Sequence, residues 1–275
     1  MSQCDLLFHC SIAPSLLCWA ICFQSIGALE NVPGVFSGQV SRLTKEPSMP
    51  RRLRGATGGL VYHVLNRRAG RLPLFEQPGD YAAFERVLRE AFERTKVRIL
   101  VYCLMPTHWH LLLWPRRDGE LSQVVRWITV THVQRWHAFH ETAGTGPVYQ
   151  GRFKSFPVQT DTHFLTVARY VERNAVRARL VTRAESWRWS SLRQREQGDP
   201  KRRAFLSDWP VSRPRDWVAH VNAPHTAAEL EGVRRSVRRE YPFGSTTWVV
   251  RMAKRLGLES TLRSRGRPKV GGGRP

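Results

Sequence analysis

Apolar positions recur along this chain in two rhythms, alternate residues in some segments and every third or fourth residue in others. Together they predict the order strand-helix-strand-strand-helix-strand-helix between residues 59 and 180. Gly59-Leu-Val-Tyr-His-Val-Leu-Asn66 is rich in β-branched and aromatic residues and reads as a first strand. Asp80 caps a helix to about Thr95, with Phe84, Val87, Leu88, Ala91 and Phe92 inward. Residues 97–104 read as a second strand and 108–114 as a third, bracketed by Pro106 and Pro115. Residues 121–140 form a second long helix with Val124, Val125, Ile128, Val133 and Trp136 inward. Gly144-Thr-Gly-Pro147 breaks the chain before a fourth strand at 153–159. Asp161 caps a third helix to about Leu180, whose core face is Phe164, Val167, Ala168, Val171, Ala175 and Ala178. This order predicts an α+β sandwich, mainly antiparallel, with its helices on one face.

After about residue 193 the pattern weakens. Residues 197–203 read as a polar loop, and 227–239 and 246–256 as basic helices. The tail Arg263-Ser-Arg-Gly-Arg-Pro-Lys269 and its glycines should be disordered in isolation. The expected organisation is an N-terminal extension (1–48), a main domain (49–192), a basic helical extension (193–262) and a basic tail (263–275).

Charge and cysteine usage sharpen this picture. The 275 residues carry a formal net charge of +22, and 41% are hydrophobic, enough for a real core. Such an excess calls for a polyanionic partner, with nucleic acid the leading candidate. Residues 1–48 have a net charge of −1, so the other 227 carry +23. Cys4, Cys10, Cys18 and Cys22 cluster at the start, and only Cys103 lies beyond. No disulfide framework is then available to the main domain, which fits a reducing cytoplasm. The apolar stretch 12–23 is too short and Pro-interrupted to span a membrane, and no basic residue precedes it as in a secretory signal. The spacing of the four cysteines matches no common zinc pattern. Composition changes abruptly at Met49-Pro-Arg-Arg-Leu-Arg54, which makes Met49 the expected start and 1–48 upstream sequence that does not belong to the native protein.

The candidate chemistry lies in Leu104-Met-Pro-Thr-His-Trp-His-Leu-Leu-Leu-Trp114. On a strand, His108 and His110 point to one face and Trp109 to the other, so two imidazoles can reach one metal ion. A His-x-His triplet alone is common, and two half-buried sheet histidines would explain it equally well. Sixty residues on, Tyr170 and Asn174 are four apart on the third helix and share a face, with Arg169, Arg173 and Arg177 nearby. His132, His137 and His140 lack a tight ligand spacing and are expected at the surface. His163 is expected to be an exposed helix residue, and Trp189-Ser190-Ser191 to close the core.

Five runs then resemble the single-tyrosine HUH transposases of the REP-associated tyrosine transposase group. They are Tyr62-His-Val-Leu-Asn-Arg67, Cys103-Leu-Met-Pro-Thr-His-Trp-His-Leu-Leu-Leu113, Gln150-Gly-Arg-Phe-Lys-Ser155, Arg169-Tyr-Val-Glu-Arg-Asn174 and Trp187-Arg-Trp-Ser-Ser191. The resemblance covers roughly residues 49–192. It implies the antiparallel-sheet HUH endonuclease fold, a ferredoxin-like or RRM-like sandwich. It also implies Tyr170 as nucleophile, and His108, His110 and Asn174 as ligands of a divalent metal. That donor set, two neutral nitrogens and one amide oxygen without a carboxylate, would hold Mg2+ or Mn2+ loosely until DNA adds its charge. Thr107 stands where the group commonly has Asn, and Ala175 where it commonly has Pro. Both departures bear on local geometry more than on chemistry.

The implied activity is nicking and rejoining of single-stranded DNA beside palindromic hairpins through a 5′-phosphotyrosine intermediate, by a cytoplasmic, nucleoid-associated monomer or homodimer. Arg67, Arg152, Lys154, Arg173 and Arg177 are candidate DNA contacts, as are Arg265 and Arg267 of the tail, where Arg265-Gly-Arg-Pro268 has the core of an AT-hook. The alternative is a non-catalytic nucleic-acid-binding protein that kept the fold. A binder has no need of His108, His110, Tyr170 and Asn174 together. An RNA regulator with a sheet platform fits less well, since the strands lack an evident aromatic stacking pair.

Overall fold

The computed structural model describes residues 56–263. Residues 1–48, the expected start at Met49, and Arg265 and Arg267 with their AT-hook core lie outside the described residues. Four strands, β1 (Val61–Arg67), β2 (Arg98–Met105), β3 (His108–Trp114) and β4 (Lys154–Val158), form one sheet in the order β2-β3-β1-β4. Every pairing is antiparallel. Helix α1 (Pro78–Thr95) links β1 to β2, and α2 (Glu120–His140) links β3 to β4. This is the split βαβ arrangement of ferredoxin-like sandwiches.

Asp80 is not the cap of α1 but its third residue. Gln77 is the cap, and the Asp80 carboxylate accepts from the Glu76 and Gln77 backbone amides at 2.8 and 3.1 Å. Like other acidic side chains in a first turn, it satisfies amides that the helix leaves without partners.

Helices cover both faces of the sheet, not one. On the first face Tyr62, Val64, Tyr102, Leu104, Trp109, Leu111 and Leu113 pack with Phe84, Leu88, Val124 and Ile128 of α1 and α2. On the second, Val61, Cys103, Met105, Leu112, Phe156 and Val158 pack with Phe164, Val167, Ala168 and Val171 of α3 (Thr162–Glu172). The cause is in the strands themselves. β2 is buried from Ile99 to Met105, so it has no face for water.

The third helix is also interrupted. Asp161 caps α3 as expected, its Oδ1 accepting from the His163 amide at 2.8 Å. At Arg173 (φ −80°, ψ 0°) the chain leaves helical geometry, and α4 (Asn174–Arg177) restarts it. Tyr170 and Asn174 therefore flank a break and do not lie on one continuous helix.

The C-terminal extension is helical: α5 (Ser191–Gln197), α6 (Pro200–Arg203), α7 (Trp217–Asn222), α8 (Ala227–Arg239), α9 (Thr246–Arg255) and α10 (Glu259–Leu262). The polar stretch before residue 204 holds α6, which Asp199 caps through the Lys201 amide at 2.8 Å. Trp217, Val221 and Val233 enter the second core with α3. Both sheet edges are covered: Phe243 exchanges backbone hydrogen bonds with Pro157 and Gln159 beside β4, and Leu206 bridges to Ile99 of β2. These bridges shorten the ladder that each edge strand leaves open to another chain. Among the described residues, no helix is long and apolar enough to cross a membrane.

Candidate active site

Strand register gathers the site. In β1 and β3, Leu65 pairs with His110 and Arg67 with His108, while Leu65 also pairs with Lys154 of β4. Paired residues share a face, so His63, Leu65, Arg67, His108, His110 and Lys154 all point toward α3. Trp109 points the other way and is fully buried. Its Nε1 donates to the Tyr149 hydroxyl at 2.9 Å, and that oxygen lies 2.8 Å from His132 Nδ1. His132 is buried, not at the surface, because it continues the inward stripe of Ile128 and Trp136 on α2. His140 also has a partner, Asp80 Oδ1 at 3.2 Å.

Both histidines of the pair have Nδ1 engaged. His108 Nδ1 lies 3.0 Å from the Thr107 hydroxyl, and His110 Nδ1 lies 2.9 Å from His63 Nε2. Nε2 is the nitrogen each has left for a ligand. Burial pulls His108 down to about 4 and His110 well below the usual imidazole range, and Arg67 and Arg177 add to this. Both rings are thus neutral near pH 7, the form that binds a cation.

Tyr170 is packed among imidazoles. Its ring centroid is 6.0 Å from His110, 6.3 Å from His63 and 6.3 Å from His225, each edge-on. The Arg177 guanidinium lies 4.1 Å from the Tyr170 ring centre, and its Nη1 donates to the Tyr170 carbonyl at 3.3 Å. Arg177 Nη2 also donates to Asn174 Oδ1 at 2.7 Å, while Asn174 Nδ2 is buried with no partner. Tyr170 and Asn174 are only 7% and 6% exposed, which keeps bulk water from both.

The donors fit a divalent cation in part. Two neutral imidazoles are ready. The amide oxygen of Asn174 already accepts from Arg177, and turning the amide over would set Nδ2 against the guanidinium donors. Asn174 Oδ1 keeps one lone pair beyond the Arg177 bond, so Arg177 competes for this oxygen without excluding a second partner. Among the described residues no three His, Cys, Asp or Glu side chains form a metal-binding group.

Other expected contacts are dispersed. Arg152, just before β4, and Lys154, its first residue, are exposed. Arg173 is tied to α7, donating to the Val221 carbonyl at 3.2 Å and to that of Asn222. His163 is held by Asp161 Oδ1 at 2.8 Å and is not among the ring contacts of Tyr170. Trp189 and its neighbours close the core as expected: Ser190 caps α5, and Ser191 Oγ donates to Glu172 Oε1 at 2.6 Å. His63 and His225 escaped the sequence reading. His63 sits in the resembling run Tyr62–Arg67, but its partner is 47 residues away and only the register reveals it.

Solved structures similar to this chain include two transposases. The REP-associated tyrosine transposase bound to a REP hairpin aligns with a TM-score of 0.44 and 19% identity, over 54% of this chain and 86% of that one. A crystal structure described as that of a candidate transposase from Deinococcus radiodurans R1 aligns with a TM-score of 0.34 and 18% identity, over 44% and 95%. Among curated proteins none matches. The family model for IS200-like transposases matches residues 56–174, from the residues before β1 through Tyr170 to Asn174. That segment, sheet and candidate site included, is similar to the IS200-like transposases.

Proposed function

We propose that this protein nicks and rejoins single-stranded DNA beside REP-like palindromic hairpins, with Tyr170 as nucleophile. The observation that carries the reading is the convergence of Tyr170, His110 and Arg177: an aromatic hydroxyl residue, a neutral imidazole and a fixed cation in one water-poor site. Tyr170 Oη attacks the phosphorus, forming a Tyr–O–P bond as the P–O3′ bond breaks. The phenol proton leaves to solvent and the departing 3′ oxygen takes one up. A 5′-phosphotyrosine and a free 3′-OH result. The new ester conserves the bond energy, so rejoining by the same 3′-OH needs no ATP.

A divalent cation, Mg2+ or Mn2+, would be held by His108, His110 and Asn174 and would supply positive charge to the non-bridging oxygens. Arg177 sets a second positive charge beside the ring, in a site where low polarity strengthens it. Burial keeps Tyr170 in place, so little orientational freedom is lost when the phosphate arrives. Arg67, Arg152 and Lys154 are suited to the flanking phosphates, and Arg265 and Arg267 to phosphate or an A·T-rich minor groove nearby. The hairpin specificity rests on the sequence resemblance to the REP-associated group.

The test is incubation of the full chain with a labelled single-stranded hairpin and Mn2+ or Mg2+. A covalent protein–DNA adduct should form and should be absent with Tyr170→Phe. An adduct that persists in that variant rejects Tyr170. Salt-sensitive hairpin binding without any adduct would leave the protein a non-catalytic DNA binder.

A further inference from the structure

The cations outside the site are not scattered evenly. A cleft of about 470 Å3 opens beside Asn66 and Arg67 at the end of β1, with Arg152 and Lys154 along it and Arg238 of α8 opposite. A second cleft, of about 330 Å3, is lined by Lys154, Arg238 and Arg239, and by Ser260, Thr261 and Arg263 at α10. Lys154 and Arg238 line both, so the two join into one trough.

Three features identify its occupant. Six cations line the trough (Arg67, Arg152, Lys154, Arg238, Arg239, Arg263) against one lining carboxylate, Glu240, and Arg238 is also paired with Glu231, so the excess of positive charge favours a polyanion. No aromatic side chain lines it, so bases have nothing to stack on and the contacts suit a sugar-phosphate backbone of any sequence. It begins beside Arg67, which pairs across the sheet with His108, so it is continuous with the candidate active site. The outer wall is firmly attached: Phe243, just after α8, is hydrogen-bonded to Pro157 and Gln159 at 2.9 Å each, and Gln159 Oε1 accepts from the Ser245 amide at 2.9 Å.

We propose that α8 and α10 form the outer wall of a trough that carries the backbone of single-stranded DNA away from the Tyr170 site toward Arg263. This rests on the DNA-processing reading above. The extension then acts as a strand guide and not merely as a cover for the sheet edge. A strand bound along it would be held in register on one side of the scissile phosphate.

The experiment uses the full chain and three substrates: a blunt hairpin, and the same hairpin with a single-stranded extension of about ten nucleotides at its 5′ or 3′ end. Fluorescence anisotropy is measured across a salt series for wild type and for the triple variant Arg238→Ala, Arg239→Ala, Arg263→Ala. The Arg238 side chain is 58% exposed, so its removal should leave the fold intact, as circular dichroism will verify. Each lost single-strand phosphate contact lowers the salt slope by about 0.7, so the variant's slope should fall by about 2 on one extended substrate. Its affinity there should drop at least about tenfold in low salt, with blunt-hairpin affinity unchanged within about twofold. Photocrosslinking from thio-substituted extensions should label peptides of α8 or α10. Equal slopes for variant and wild type on both extended substrates, with wild-type adduct formation intact, overturn the trough alone. Failure of the wild type to bind any of the three DNAs overturns the DNA-processing reading and the trough with it.

Discussion

His63 Nε2 and His110 Nδ1 lie 2.9 Å apart, a buried hydrogen bond between an imidazole of β1 and one of β3. For His110 to offer a lone pair at Nε2, its Nδ1 must carry the proton and donate to His63. On the proposed reading, His63 thereby fixes both the ring orientation and the nitrogen that would face a cation. Its own ring stays uncharged, because burial pulls it down to about 3. Such partners of metal-binding histidines affect metal affinity by about 10- to 100-fold. His63→Leu, which keeps much of the volume, should therefore weaken Mn2+ binding to that extent in calorimetric titration of the DNA-free protein. An unchanged Mn2+ affinity in folded H63L would remove His63 from the site.

His132 makes stability depend on pH. Burial pulls this imidazole down to about 3, against a weaker upward pull from Asp80. The unfolded chain, with an ordinary histidine, binds more protons than the folded one between about pH 6.5 and that value. The stabilising contribution is complete above about pH 6.5 and is lost as pH falls toward the folded value. From this group alone the slope reaches about 1.4 kcal/mol per pH unit. Urea unfolding at neutral and mildly acid pH should show the loss, and His132→Asn should flatten it. Parallel pH profiles for the two proteins would show that another group is responsible.

Glu172 anchors the helix that carries Tyr170 to the extension. Its buried carboxylate accepts from Ser191 Oγ at 2.6 Å and from Trp217 Nε1 at 2.7 Å. Trp217 can only donate, whereas a serine hydroxyl can donate or accept. Glu172→Gln can keep both bonds, with the amide oxygen toward Trp217 and the amide nitrogen toward Ser191. It should cost less than about 1 kcal/mol. Glu172→Leu strands the indole N–H and should cost about 2–4 kcal/mol. Equal denaturant midpoints for the two variants would mean that the hydrogen bonds contribute little.

The sequence reveals most of the element order, because each strand and long helix has its own apolar period. The shared face of His108 and His110 follows from the period of a strand alone. Contacts that depend on register were not legible: no local pattern pairs His63 with His110, or Phe243 with β4. Two features carried signals that a plain reading passes over. The unbroken apolar run 99–105 implies a strand covered on both faces, and His132 sits four residues from both Ile128 and Trp136, in the middle of a core stripe. The break at Arg173 had no such signal. Neither Gly nor Pro marks it, and its backbone is held by tertiary bonds from Arg173 to α7 and from Arg177 to the Tyr170 carbonyl.

Arg177 has two opposed effects, which one substitution can separate. It occupies one lone pair of Asn174 Oδ1 and sets its own charge close to the histidine pair, lowering the proton affinity of both rings. Arg177→Ala removes both obstacles, so Mn2+ should bind the DNA-free protein several-fold more tightly. The same change strips the cation from the Tyr170 ring, where such a contact in a buried site contributes about 2 kcal/mol or more. Only the part of that interaction that grows as charge develops on the Tyr170 oxygen affects the rate, so adduct formation should slow by up to about 30-fold at saturating Mn2+. Arg177→Lys should restore little of the rate, since an ammonium cannot stack on the ring while bridging the amide and the carbonyl. The diagnostic result is the opposite sign of the two effects. If R177A lost metal affinity and activity together, Arg177 would be a support for the site and not a competitor for its third donor.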